Sequence, residues 1–266
     1  MGFLFNWNKT KKEDIKFISY DAHRNNLGDI ISPLIANHFS PKKIIRISKN
    51  KCKRVEHYFM IGSILQRSTK NSIIWGSGFI SESSVCKEIP KRVLAVRGPL
   101  TRKKLLEQGI ACPEIYGDPA LLLPEVYPNT NQKTKYKLGI IPHFLDKNNA
   151  ELKKFDDNLD IKIIDIQNKK PLKVIDDMLQ CEKIISSSLH GIIISDAYHI
   201  PSVWTQFSKP IGDDNFKFLD YFTSVGRKDK SPFIFKEFAN LDGILNVFED
   251  YEIKINLEDL KKSFPF

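Results

Sequence analysis

Cysteine is scarce in this chain, and long apolar runs, metal-ligand motifs and segregated charge are absent. The four cysteines, Cys52, Cys86, Cys112 and Cys181, lie far apart and form no C-x-x-C pair. That spacing argues against a disulfide scaffold or a zinc site and for free thiols in a reducing compartment. No apolar stretch reaches the roughly 20 residues that a membrane-spanning helix needs. Even the run around Gly191–Ile194 is soon interrupted by Asp196 and His199. The opening MGFLFNWNKTKKEDIK carries its charges after a short apolar stretch, not before it. It does not read as a secretory leader, so a cytoplasmic protein is expected. H-E-x-x-H, P-loop, G-x-S-x-G and D-x-D patterns are missing, so no metal site is expected. Neither an internal repeat nor a low-complexity tract is present.

What is there suffices for real cores. The 266 residues allow one large domain or two of ordinary size, and 41% hydrophobic content excludes disorder. The net charge is +9, with Lys far more common than Arg. Such a field favours an anionic partner: nucleic acid, a phosphorylated small molecule or an acidic membrane surface. The lysines are dispersed and no nucleic-acid module is recognisable, so no nucleic acid is expected. A solvated lysine-rich surface is the alternative source of the charge.

Along the chain, short β-branched or aromatic runs alternate with longer periodic segments. IKFISYD (15–21) predicts a strand and LGDIISPLIANHF (27–39) a helix, with Ser32-Pro33 as N-cap and first-turn proline or as an early part of a longer helix. HYFMIGSIL, NSIIWGSGFI and RVLAVR (92–97) predict strands, GPLTRKKLLEQG (98–109) a helix closed by Gly109, and EIYGDPALLLP a strand and turn. The polar segment 124–137 reads as a linker. The pattern then restarts with strands in KLGIIPHF and DIKIIDIQ, a helix in PLKVIDDMLQC, a strand in EKIISSS, a helix in LHGIIISDAYH and a strand in IPSVWTQF. This alternation implies an α/β fold of two Rossmann-like βα domains, residues 1–126 and 127–266, facing a cleft. Ligands of such sheets bind at the carboxyl ends of the strands.

That rule singles out ISSSLHGIIISDAYHIPSV (185–203), where His190 and Gly191 stand between an apolar strand and an apolar helix. A helix start welcomes an anion and disfavours a protonated imidazole. Gly191 permits close approach of a ligand or a neighbouring strand. A hydrogen-bonded core histidine is the alternative. Asn26, Gly28 and Asp29 follow the first strand in NNLGD. Gly76, Ser77 and Gly78 in WGSGF form a nest for phosphate or carboxylate, or an ordinary turn. Arg97 ends a buried strand and needs a carboxylate or phosphate partner, either a ligand or an internal ion pair with Asp118. Arg102, one turn on, is expected to reach solvent. His143 follows a strand in the second half, and NFKFLDYFTSVGRKDK (215–230) is core or a loop over the cleft.

Together NNLGDIISP, WGSGF, AVRGPLTRKKL, YGDPALLLP, GIIPH, ISSSLHGIIISDAYHIPSV and FKFLDYF resemble the polysaccharide pyruvyl transferase family over residues 15–225, the SLHG segment most strongly. The resemblance implies a glycosyltransferase-B-like arrangement. It also implies transfer of a pyruvyl group from phosphoenolpyruvate, a co-substrate, to sugar hydroxyls with ketal formation, and no other cofactor. By matching position His190 is the catalytic histidine and Arg97, on the acceptor-side first domain, the arginine for the donor anion. Asn26, Gly28, Asp29, Gly76, Ser77, Gly78, His143, Ser187, Ser188, Leu189 and Gly191 are the surrounding substrate-binding candidates. Many members have Arg directly before Leu-His-Gly, where this chain has Ser188; Arg97, Arg102 or a lysine is expected to replace it. The acceptor is then a sugar or lipid-linked oligosaccharide, for a protein working in surface polysaccharide synthesis. GFLFNW with Lys9, Lys11 and Lys12 offers a peripheral contact with the inner face of the membrane, or a segment docked on the protein itself. Two rival functions remain: a nucleotide-sugar-dependent glycosyltransferase of the same fold, and a non-catalytic partner in polysaccharide assembly.

Overall fold

The computed structural model describes residues 15–20, 26–130, 133–208, 214–237 and 240–266. The proposed membrane-contact segment, residues 1–12, lies outside them. The first half builds a parallel sheet from β1 (Ile15–Ile18), β2 (Lys43–Arg46), β3 (His57–Phe59), β4 (Ser72–Trp75) and β5 (Arg92–Ala95). Its helices are α1 (Leu27–Ile30), α2 (Ser32–Phe39), α3 (Lys49–Cys52), α4 (Pro99–Glu107) and α5 (Leu123–Val126). The second half repeats the plan with β6 (Tyr136–Ile141), β7 (Ile161–Ile163), α6 (Pro171–Leu179), β8 (Cys181–Ser186), α7 (Leu189–Ala197), β9 (Ser202–Gln206), α8 (Phe216–Val225), β10 (Phe233–Ile234), α9 (Leu241–Leu245) and α10 (Leu257–Lys262).

The strand orders are β2-β1-β3-β4-β5 and β10-β9-β8-β6-β7. Counted within each half, both are the doubly wound order 2-1-3-4-5, so the chain reverses direction across the sheet after the first two strands each time. The two halves are thus Rossmann-like domains of one topology. The connection between α5 and β6 falls inside the predicted linker. β2 and β10 are the strands that sequence reading misses. Both are outermost in their sheets; β2 is half-exposed and flanked by lysines, and β10 has two residues.

Inner strand β4 is buried along its whole length. Helix α7 is buried at all nine positions because it is covered on two sides. One side meets β8 and β9; the other meets the turn Pro119–Leu122 of the first half. The predicted 27–39 helix is two helices. Pro33 has no N–H to give to the carbonyl of Asp29, so the chain breaks at Ile31 and restarts. Ser32 is therefore inside α2 and caps nothing. Cys52, Cys112 and Cys181 are buried free thiols and Cys86 is half-buried; burial pushes Cys112 and Cys181 up to about 12.

The boundary at 126/127 assigns the chain's end to the second half, but that end packs on the first. Trp75 donates its indole N–H to the carbonyl of Leu260 at 3.0 Å. Phe264 and Phe266 then stand edge-on to Trp75 and Tyr58. Helix α8 also crosses, laying its buried face on α4 while Phe218 stacks on Trp204 of β9. The 215–230 segment is therefore a core helix for most of its length. No helix of the described residues is long and apolar enough to cross a membrane.

Candidate active site

Where the strand order reverses, the loops leaving adjacent strands part and leave a crevice at their carboxyl ends. This chain has two such points, between β1 and β3 and between β6 and β8, and they face one cleft of about 610 Å³. Asn26 and Asp29 come to it after β1, Gly62 and Ser63 after β3, His143 after β6, and Ser187 to His190 after β8. Of the sequence candidates, Asn26, Asp29, His143, Ser187, Ser188, Leu189 and His190 line it.

His190 lies in the first turn of α7 and keeps 6% of its surface accessible. The helix start leaves the amides of Leu189 and His190 without intrahelical partners. Gly28 stands over the imidazole. A β-carbon there would sit 2.1, 2.2 and 2.3 Å from Nδ1, Cε1 and Cγ, so only glycine lets α1 lie on the ring face. Gly191 serves packing too: a β-carbon would meet Ser186 Oγ at 2.2 Å. Its closeness is to the neighbouring strand. His190 Nε2 is buried and stands 3.6 Å from Oδ2 of Asp118, which does not line the cleft.

On the opposite side of this wall the β8–α7 junction is stiffened by hydroxyls. Ser186 Oγ accepts from the Ser188 amide, and Ser187 Oγ accepts from the His143 amide at 2.7 Å. Ser187 and Ser208 both donate to the buried carboxylate of Asp146. Two cationic side chains also line the cleft, Arg67 after β3 and Lys217 in the first turn of α8. Asn215, which leads into α8 with φ of 63°, lines it as well.

The remaining candidates are elsewhere. Arg97 is fully buried and does not line the cleft. Its Nε donates to Asp220 Oδ2 at 2.9 Å, one terminal nitrogen to Ser63 Oγ at 2.6 Å and the other to the carbonyl of Phe79 at 2.7 Å. This is the internal ion pair foreseen as the alternative to ligand binding, but with Asp220 of α8 in place of Asp118. Arg102 pairs with Glu114 and the carbonyl of Cys112. The WGSG turn is not an anion nest. The Gly76 amide donates to Ala95 and the Gly78 amide to Gly62, while Ser77 is fully buried on the carbonyl of Met60. Gly76 adopts φ of 91° against Pro119, and Gly78 makes room for the Arg97 guanidinium. Among the described residues no cluster of three His, Cys, Asp or Glu side chains is placed to hold a metal.

Sequence reasoning missed Asp118 as a neighbour of His190, and missed Asp146, Arg67 and Lys217. A signal existed for Asp118, an acid followed by proline at the end of an extended run. Arg67 sits in a 3-10 turn that no periodicity announces.

The family model described as polysaccharide pyruvyl transferase matches residues 8–206. An uncharacterized protein of Acanthamoeba polyphaga mimivirus is 31% identical over 225 residues, covering 82% of this chain and 77% of that protein. The succinoglycan biosynthesis protein ExoV of Rhizobium meliloti (strain 1021) is 28% identical over 173 residues, covering 62% of this chain. The match spans about half of ExoV, 52% of its length. No solved structure matches. With a family match extending over the first sheet, over β6 to β9 of the second and through the His190 helix, this chain belongs to the polysaccharide pyruvyl transferase family.

Proposed function

We propose that this protein transfers the pyruvyl group of phosphoenolpyruvate to two hydroxyls of a sugar, forming a ketal and releasing phosphate, in polysaccharide biosynthesis. The observation that carries the reading is the position of His190 where the two strand-order reversals meet, in a cleft also lined by Arg67 and Lys217. The donor brings a carboxylate and a phosphate. The first-turn amides of α7, the start of α8 and these two cations provide complementary positive charge. Arg67 and Lys217 take the role that the family's arginine has at the position of Ser188. Arg97, held internally by Asp220, is not assigned that role.

In the proposed reaction one sugar hydroxyl adds to C2 of the enol phosphate while C3 gains a proton and becomes a methyl group. His190 takes the hydroxyl proton and delivers a proton to the methylene carbon. Phosphate then departs with the C–O bonding pair, and a second hydroxyl closes the ketal, its proton leaving on phosphate. The acceptor rests against the polar wall of Asp146, Ser187 and Ser208, whose hydroxyls and carboxylate suit sugar hydroxyls.

Saturating phosphoenolpyruvate should raise the melting temperature, because a ligand that binds only the folded state stabilises it by mass action. Incubation with phosphoenolpyruvate and a panel of free or lipid-linked glycans should release phosphate. It should also add the mass of a pyruvyl ketal to one glycan. If nucleotide sugars stabilise the protein and phosphoenolpyruvate does not, the glycosyltransferase reading replaces this one.

A further inference from the structure

Among the described residues two buried polar atoms face each other and neither has a hydrogen-bond partner: Asp118 Oδ2 and His190 Nε2. They come from different halves, Asp118 from the turn after β5 and His190 from the start of α7, and stand 3.6 Å apart. That distance is too short to admit a water and slightly long for a hydrogen bond. Asp118 is 1% exposed, so solvent does not compensate its free oxygen. Buried polar groups of this kind are normally satisfied, and an unsatisfied pair beside a reactive group points to a catalytic use. The other carboxylate oxygen is fixed: Oδ1 accepts the Ala120 amide at 3.0 Å and caps the turn Pro119–Leu122. The carboxylate cannot rotate without losing that cap.

We infer that Asp118 is the positioning residue for His190, holding its imidazole as the Nε2–H tautomer so that the bare Nδ1 meets the substrate. The carboxylate accepts from Nε2–H, and Gly28 fixes the ring face from the α1 side. When Nδ1 takes the proton of the sugar hydroxyl, the resulting imidazolium lies against a fixed negative charge across the domain interface. The assignment rests on His190 being the proton carrier of the proposed reaction, but its first test does not.

Asp118→Asn separates positioning from mere packing. The cap to Ala120 still requires an oxygen at the Oδ1 place, so the amide nitrogen occupies the place of Oδ2 and donates to His190 Nε2. The ring proton must then move to Nδ1. In histidine-15N-labelled protein at mildly alkaline pH, two-bond proton–nitrogen spectra report the tautomer directly. The His190 signals are assigned by their loss in His190→Gln. Wild type should show Nε2–H and Asp118→Asn should show Nδ1–H, with melting temperatures close together. An unchanged tautomer in folded Asp118→Asn overturns the inference whatever reaction the protein catalyses. In the phosphate-release assay, kcat should fall by roughly 10²–10⁴-fold with little change in KM for phosphoenolpyruvate. A tautomer switch in a protein whose wild type never turns over phosphoenolpyruvate upholds the pair and sinks the proposed donor instead.

Discussion

At the residue scale the site turns on whether His190 carries the proton transfer. His190 lines it and His199, at the far end of the same helical segment, is exposed with φ of 56° and lines nothing there. His190→Ala should therefore cost about 10²–10⁴-fold in phosphate release, the range of a lost general acid–base, while donor binding weakens far less. His199→Ala should turn over like the parent. Phosphate release from both variants, with circular dichroism as a fold check, decides the matter; a folded His190→Ala of parental activity would leave the histidine merely structural. His190 was legible in the sequence because an imidazole and a glycine interrupt an otherwise apolar strand–helix passage. Its partner was not. Asp118 is 72 positions upstream and in the other half, so no local pattern links them. The glycines were legible as special, but the neighbours they make room for, His190 at Gly28, Arg97 at Gly78 and Ser186 at Gly191, were not.

At the element scale the instructive case is α8. Its sequence reads equally as core or as a loop over a cleft, since aromatic and basic residues alternate without a decisive period. The structure resolves this through Asp220, whose carboxylate accepts from Arg97, from the Thr101 amide and from the Thr101 hydroxyl, all without solvent. Gly98 lets the helix approach, because a β-carbon there would sit 2.0 Å from the Asp220 carbonyl oxygen. The strand-end arginine was thus correctly read as needing a carboxylate, but the partner lay 123 residues further on. Removing the guanidinium leaves a buried carboxylate uncompensated. Arg97→Met should destabilise by roughly 3–5 kcal/mol. Arg97→Met combined with Asp220→Leu should recover part of that loss, because two apolar groups leave no orphan charge. Urea unfolding of the two variants and of Asp220→Leu alone tests the coupling. If Arg97→Met keeps full stability and instead raises KM for phosphoenolpyruvate, the arginine belongs to the donor site after all.

At the scale of the whole molecule, the alternation of strand and helix patterns disclosed two parallel sheets, but not how tightly the halves are joined. Periodicity reports only the face that an element buries, not the sheet against which it is buried. Contacts that tie the halves together include α7 against the turn Pro119–Leu122, α8 against α4, and the final segment against Trp75 and Tyr58. Domains move independently by default unless the interface between them is large and hydrophobic. Here the first half needs Leu260, Phe264 and Phe266, from the far end of the chain, to cover Tyr58 and Trp75 of its inner strands. The Gly117 turn that precedes Asp118 packs under Leu260 and Ile255 as well. The two halves should therefore melt together, giving one calorimetric transition whose calorimetric and van't Hoff enthalpies agree. Truncation after Asn256 removes α10 and the three aromatic and aliphatic anchors, uncovering Trp75. Its indole emission should shift to the red, and the first half should lose protection from hydrogen exchange before the second. Two resolved transitions in the intact chain, or a truncated chain that still melts as one unit at the parental temperature, would show that the halves are independent. The pairing of Asp118 with His190 across their interface would then have to be held by α7 and the 119–122 turn alone.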